Sequence, residues 1–212
     1  MKRTALLVID MQRDFLDPRG YAANAGLNIA PLQGVIPTVR RVLDAARASG
    51  LMIVHTREGH LPDLSDCPPV KLARSRNAGA EIGGTGPLGR LLIRGESGHD
   101  FIDELRPAAG ETVIDNPGYS AFARTDLDQR LRVRDIDTLL LCGITTEVRV
   151  SSTLRDAVDR GYRCITVGDA CASAFPDLHD AALRMITVEG GIFGSVSISQ
   201  QVAAELASGL VA

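Results

Sequence analysis

Lysine is almost absent from this sequence. Lys2 and Lys71 are the only two, so arginine carries the cationic charge and a catalytic ammonium has very few places to be. Basic runs are also missing, and with a formal net charge of -3 the chain lacks the electrostatic footprint of a nucleic-acid or anionic-membrane binder. The expected partner is a small molecule or another copy of the chain. Cys67, Cys142, Cys164 and Cys171 show no C-x-x-C spacing and follow no signal-peptide pattern, which excludes a disulfide framework or zinc knuckle and points to the cytoplasm. The apolar run in "MKRTALLVID" meets Asp10 too soon for a signal core or a membrane span. His55, His60, His99 and His179 form no tight ligand pattern, so hydrogen-bonding or surface roles are expected rather than a metal site. "GGTGPLG" (83–89) lacks the lysine and the preceding strand of a phosphate loop. Neither a metal nor a cofactor is expected.

What is present is an alternation of short apolar runs and helical patterns. Runs at 4–10, 51–56, 111–115, 137–143, 163–169 and 194–199 are hydrophobic without a break, as suits strands buried on both faces of a parallel sheet. Helical patterns at 35–50, 123–135, 147–161 and 178–191 separate most of them, and several close on glycine. The 212 residues, 45% of them hydrophobic, suit one layered α/β domain spanning 1–212, with right-handed crossovers. The stretch 60–110 breaks the rhythm: rich in Pro and Gly and without a strong periodic segment, it reads as an excursion serving as lid or interface.

Ligands of open α/β sheets bind beyond the carboxyl ends of the strands, so the residues closing each run are the candidates. The first run delivers Asp10, a carboxylate at the end of an apolar strand whose proton affinity burial would raise. A structural capping role is its alternative. The second delivers His55, Arg57, Glu58 and His60; the third Asp115, Asn116 and the "PGYSAF" that contains Tyr119; the fifth Asp169, Cys171 and Ser173. The fourth ends in "GITTEV", where Thr145 or Thr146 is expected to cap the following helix, with Glu147 in its first turn; stabilising an oxyanion or binding a carboxylate at the same N-terminus is the alternative. Cys142 lies inside its run and reads as a small buried hydrophobe.

"ALLVIDMQRDFLDP", "VIDNPGYSAF" and "GITTEVRVSSTLRDAVDRGY" together resemble the motifs of the isochorismatase-like hydrolase superfamily. "TREGHLPDLSDCPP", "GPLGRLLIRGESGHD" and "EGGIFG" resemble its branch of biuret and ureidoacrylate amidohydrolases within the cysteine hydrolases. The resemblance implies a three-layer α/β/α fold around a six-stranded, mostly parallel sheet, assembled as a homodimer or homotetramer. It also implies an Asp–Lys–Cys triad for C–N cleavage, with a cis peptide ahead of the nucleophile. Mapped onto this chain, the Asp is Asp10, the Lys position holds Asn116, the Cys position holds Arg149, and the cis peptide is Ile144–Thr145. Substrate contacts would come from Gln12, Phe15, Arg57, Glu58, Tyr119, Ile144, Thr145, Glu147 and Cys171.

A guanidinium stays protonated at working pH, so Arg149 is no nucleophile, and neither lysine belongs to the corresponding motif. Three readings follow. In the first the chain is an enzyme without a cysteine nucleophile, with Asp10 as general acid or base, Asn116 hydrogen-bonding, and Arg149 clamping a small, carboxylated substrate of secondary metabolism. In the second it is a catalytically silent homologue serving as a binding or structural subunit, with Arg149 paired to Asp10. In the third only the oligomer interface matters, supporting an active paralogue.

Overall fold

The structure is a computed structural model, and it describes residues 3–209. Its strands are β1 (Thr4–Ile9), β2 (Met52–Glu58), the two-residue β3 (Thr85–Gly86) and β4 (Gly89–Arg90), β5 (Thr112–Asn116), β6 (Thr138–Ile144), β7 (Arg163–Ala172) and β8 (Ser195–Ser197). Its helices are α1 (Arg13–Leu16), α2 (Tyr21–Asn24), α3 (Ala30–Gly34), α4 (Ile36–Ala48), α5 (Pro69–Asn77), α6 (Leu127–Val133), α7 (Ser151–Asp159), α8 (Pro176–Ile186), α9 (Val188–Gly191) and α10 (Ser199–Ser208). Six strands form one sheet in the order β5-β2-β1-β6-β7-β8, every pair parallel. β3 and β4 make a separate antiparallel ribbon.

All six runs expected as strands are strands; the central β1 and β6 are buried along their whole length, as expected, whereas the edge strands β5 and β8 are partly exposed. One face of the sheet packs a cluster that includes Leu6, Val8, Leu140 and Val167 against Val39, Val42, Leu43 and Ala46 of α4 and Val202 and Leu206 of α10. The opposite face packs Leu7, Ile9, Leu139 and Leu141 against Leu127 and Leu131 of α6 and Leu154 and Ala157 of α7. The result is a three-layer α/β/α arrangement. On α4 the spacing of the buried positions is i, i+3, i+4, i+7, one helical face, and a leucine buried as fully as Leu43 contributes about 1.5–3 kcal/mol.

Two expectations change. The helix expected over 147–161 is divided into a π-turn at Thr146–Val150 and α7, and that over 178–191 into α8 and α9, where Glu189 and Gly190 take left-handed φ of 50° and 76°. The 60–110 excursion is not wholly irregular, since α5 runs through it. The buried residues of α5 are Lys71 and Ser75, so its inward face carries no hydrophobic stripe for periodicity to detect. The excursion packs on its own chain near the end of β1: the Arg13 amide donates to the Asp100 carbonyl at 2.9 Å, and the Ile102 amide to the Met11 carbonyl at 3.2 Å.

Candidate active site

β5, β2, β1 and β6 are neighbours, so their carboxyl ends bring Asn116, Glu58, Asp10 and Ile144 to one rim of the sheet. At Asp10 the chain leaves β1 with φ of 52°, and its side chain is 1% exposed. The Thr56 hydroxyl donates to Asp10 Oδ1 and accepts from the Asp10 amide at 3.2 Å. Beside it, Gly143 has φ of 117° and any Cβ there would lie 2.2 Å from the Ile9 carbonyl oxygen. Only glycine lets β6 pass this close to β1 ahead of the cis peptide Ile144–Thr145, which lies where the resemblance places it.

Four charged side chains form a continuous chain at this rim. Arg149, on the π-turn, sets Nε 3.0 Å from Asp10 Oδ2, and its Nη2 pairs with Glu58 Oε2. Lys71 reaches in from α5, with Nζ 2.6 Å from Glu58 Oε1 and 2.6 Å from the Pro117 carbonyl oxygen to which it donates. The Arg149 guanidinium lies 4.3 Å from the centre of the Phe15 ring, a cation–π contact in a buried setting. Formal charges cancel, as burial of ions requires: Asp10 and Glu58 are each 1% exposed, Lys71 5% and Arg149 9%.

The two carboxylates differ in proton affinity. Burial pushes Asp10 up to about 6, with Arg149 opposing that rise and the nearby Glu58 charge reinforcing it. Glu58 is buried as deeply, but Arg149 and Lys71 together hold its carboxyl below the usual range. Asp10 also keeps an unspent oxygen: Oδ2 is close to Arg149 Nε, but neither atom has an aligned hydrogen bond among the described residues.

Of the expected site residues, Asp10, Glu58, Arg149 and Phe15 are in direct contact as described. Asn116 is buried at the end of β5, with Nδ2 donating to the Gly118 carbonyl at 2.9 Å and Oδ1 unpartnered among the described residues. Tyr119 lays its ring against Lys71 and Arg74, each 4.9 Å from the ring centre, with the Arg74 charge beside its buried hydroxyl. Gln12 is an internal brace: its amide donates to the carbonyls of Glu58 (3.0 Å) and His99 (2.9 Å) and accepts from the Glu58 amide (2.8 Å). Ile144 is buried in the core. Thr145 stands at the start of the π-turn with its hydroxyl unpartnered, and the Thr146 hydroxyl bonds His179 Nδ1 at 2.8 Å, so neither side chain caps the helix as expected. Glu147 is half-buried on that turn with Oε2 unpartnered.

Two expected contacts lie elsewhere. Arg57 points away from Glu58, as successive residues of a strand must, and pairs with Asp115 at 2.7 Å over the Phe101 ring. Cys171 faces the core between β7 and the helices, its Sγ 4.0 Å from the Leu141 carbonyl, and burial pushes its thiol up to about 12. Cys142 is likewise buried in the core with its thiol raised. His55 and His60 are fully buried rather than on the surface; each meets a carboxylate, Glu111 at 2.8 Å and Asp66 at 3.1 Å. Lys71 is not among the expected site residues, because it lies outside the motif that carries the family's lysine. The one available signal was its rarity: a lone internal lysine in an arginine-rich chain.

The model of the isochorismatase domain matches residues 4–198. The ureidoacrylate amidohydrolase RutB of Serratia proteamaculans is 36% identical over 208 residues, covering 92% of this chain and 79% of the relative. Among solved structures, a cysteine hydrolase from Pseudomonas syringae pv. phaseolicola superposes with a TM-score of 0.83 at 29% identity, covering 98% of this chain and 93% of that one. The N-carbamoylsarcosine amidase of Thermoplasma acidophilum gives a TM-score of 0.70 at 30% identity, covering 93% and 96%. From its first sheet strand to its last, this chain belongs to the isochorismatase family of hydrolases, on the cysteine-hydrolase branch related to ureidoacrylate amidohydrolase.

Proposed function

We propose that the protein is a hydrolase without a cysteine nucleophile, in which Asp10 acts as general acid or base on a small, carboxylated substrate. The observation that carries this reading is the state of Asp10: a fully buried carboxyl raised to about 6, with Oδ1 held by Thr56 and Oδ2 not committed to an aligned hydrogen bond. Such a group holds a proton over a useful part of the near-neutral range and can pass it from Oδ2 to a substrate oxygen or nitrogen. Charge balance supports the anionic substrate. When Asp10 is protonated, Lys71, Arg149 and Glu58 sum to one positive charge, and Arg149 Nε is released from its ion pair to meet a carboxylate. Substrate binding and protonation of Asp10 thus favour each other. Asn116 Oδ1 and the Thr145 hydroxyl, unpartnered among the described residues, supply further polar groups at the same strand ends.

The silent-subunit reading has its own observation: Arg149 bridges Asp10 and Glu58 over Phe15 and fills the rim with its own side chain. The pH dependence of kcat/KM over a panel of small carboxylated amides and enol ethers separates the two. The proposed function expects a rate that falls as pH rises through about 6 where Asp10 works as the acid, or rises through it where Asp10 works as the base, and that vanishes in Asp10→Asn. No turnover by the parent across that panel would leave the silent reading standing.

A further inference from the structure

Position 116, where the family resemblance places a lysine, holds a neutral residue, yet the charge there is not missing. Asn116 and Glu58 are register partners on β5 and β2, about 4.8 Å apart across the ladder, with side chains on the same face. A cation at 116 would therefore stand next to Glu58. In this chain Glu58 receives its second cation from α5 instead, as Lys71 Nζ sits 2.6 Å from Oε1. The same Nζ donates to the carbonyl of Pro117, the residue after Asn116, and packs on the Tyr119 ring, so the ammonium is fastened to the turn that follows β5. Asn116 itself spends Nδ2 on the Gly118 carbonyl and leaves Oδ1 unpartnered among the described residues.

We propose that Lys71 is a positioning residue that delivers to Glu58, from α5, the positive charge that position 116 no longer carries, and so leaves Arg149 free to reach Asp10. Without Lys71, Glu58 would have Arg149 alone and would draw the guanidinium toward itself, weakening the hold on Asp10. The inference rests on the proposed function only in taking Asp10 as the working group; its geometry stands without turnover. The titratable and charged groups facing Asp10 are Glu58 on β2, Arg149 on the π-turn and Lys71 on α5, with the Thr56 hydroxyl on Oδ1. The charge of Glu58 also reaches Asp14 and Tyr21, and that of Arg149 reaches Tyr21.

The test compares the parent with Lys71→Gln, Lys71→Arg, and Lys71→Gln combined with Asn116→Lys. Two quantities are read: the Asp10 titration midpoint, from the carboxyl carbon resonance assigned by its loss in Asp10→Asn, and the thermal unfolding midpoint. Lys71→Gln should shift the Asp10 midpoint upward and lower the unfolding temperature by roughly 6–12 °C. Lys71→Arg should restore most of both, and Asn116→Lys should return both toward the parent values in the Lys71→Gln background. An unmoved Asp10 midpoint in Lys71→Gln, or a double variant that recovers neither quantity, overturns the proposal. Should Lys71→Gln alone fail to fold, recovery of a folded double variant supports it and continued misfolding counts against it. Absence of turnover in the parent would defeat the proposed function while leaving both readouts intact.

Discussion

Asp10 and Glu58 stand at neighbouring strand ends, equally buried, on the same arginine. At the Asp10 end one oxygen takes a threonine hydroxyl and the other has a single guanidinium nitrogen 3.0 Å away. At the Glu58 end each oxygen has its own cation, Arg149 on one and Lys71 on the other. Desolvation dominates the first and raises its proton affinity; two cations outweigh desolvation in the second and lower it. Depth of burial therefore does not decide which carboxylate can exchange a proton. The number of cations does, and it divides one ion-pair chain into a fixed anion and a titratable acid.

The largest expected effect tests that division directly. Glu58→Gln leaves Lys71 and Arg149 with one carboxylate fewer in a buried site and should cost about 3–5 kcal/mol in denaturant unfolding, with loss of the well-ordered rim. Gln12→Leu comes next, because it strands the buried amide and carbonyl of Glu58; a cost of about 2–3 kcal/mol is expected, with kcat falling alongside stability.

Asp10→Asn should change stability far less than Glu58→Gln, and its effect should depend on pH. Asp10 has a folded value of about 6 against 3.8 unfolded, so between those values the native state binds more protons and this group's contribution declines as pH rises. Relative to the parent, Asp10→Asn should gain stability from about pH 4 to about pH 6 and level off above. Taking the difference cancels the opposite trend from His55, His60 and His99, whose burial lowers their proton affinity in both proteins. Equal losses in Asp10→Asn and Glu58→Gln at neutral pH would collapse the distinction. The smallest effect is expected at Arg57→Gln, whose part-exposed ion pairs with Asp115 and Asp100 lie off the Asp10–Glu58 chain: kcat/KM should stay within about twofold and stability within about 1 kcal/mol.

Much of the site was legible in advance, and the misses share a physical cause. Asp10, Glu58 and Asn116 close apolar strands, and parallel neighbours bring strand ends to one rim, so composition pattern and topology suffice to gather them. Arg57 was separable too: it shares a face with His55, both meeting Phe101, while Thr56 and Glu58 share the other. Strict alternation along β2 would have assigned it correctly. Cys171 could not be judged that way. β7 and β6 shift register between Leu141 and Gly143, and the shift sets which side of the sheet residue 171 faces. α5 escaped because hydrophobic periodicity reports only helices that bury apolar side chains, whereas this one buries a lysine and a serine.

The sequence by itself determined the parallel sheet, the family, and the fixed positive charge at position 149, since these follow from unbroken apolar runs, extended motifs and the arginine that stands there. Only the tertiary structure decided what that arginine does. Its two carboxylates lie 139 and 91 residues away in the chain, and the lysine that completes the set comes from a helix without a motif. Local patterns encode strands and turns, but the energy of a buried charge is set by every ion brought near it, and that sum exists only once the chain is folded.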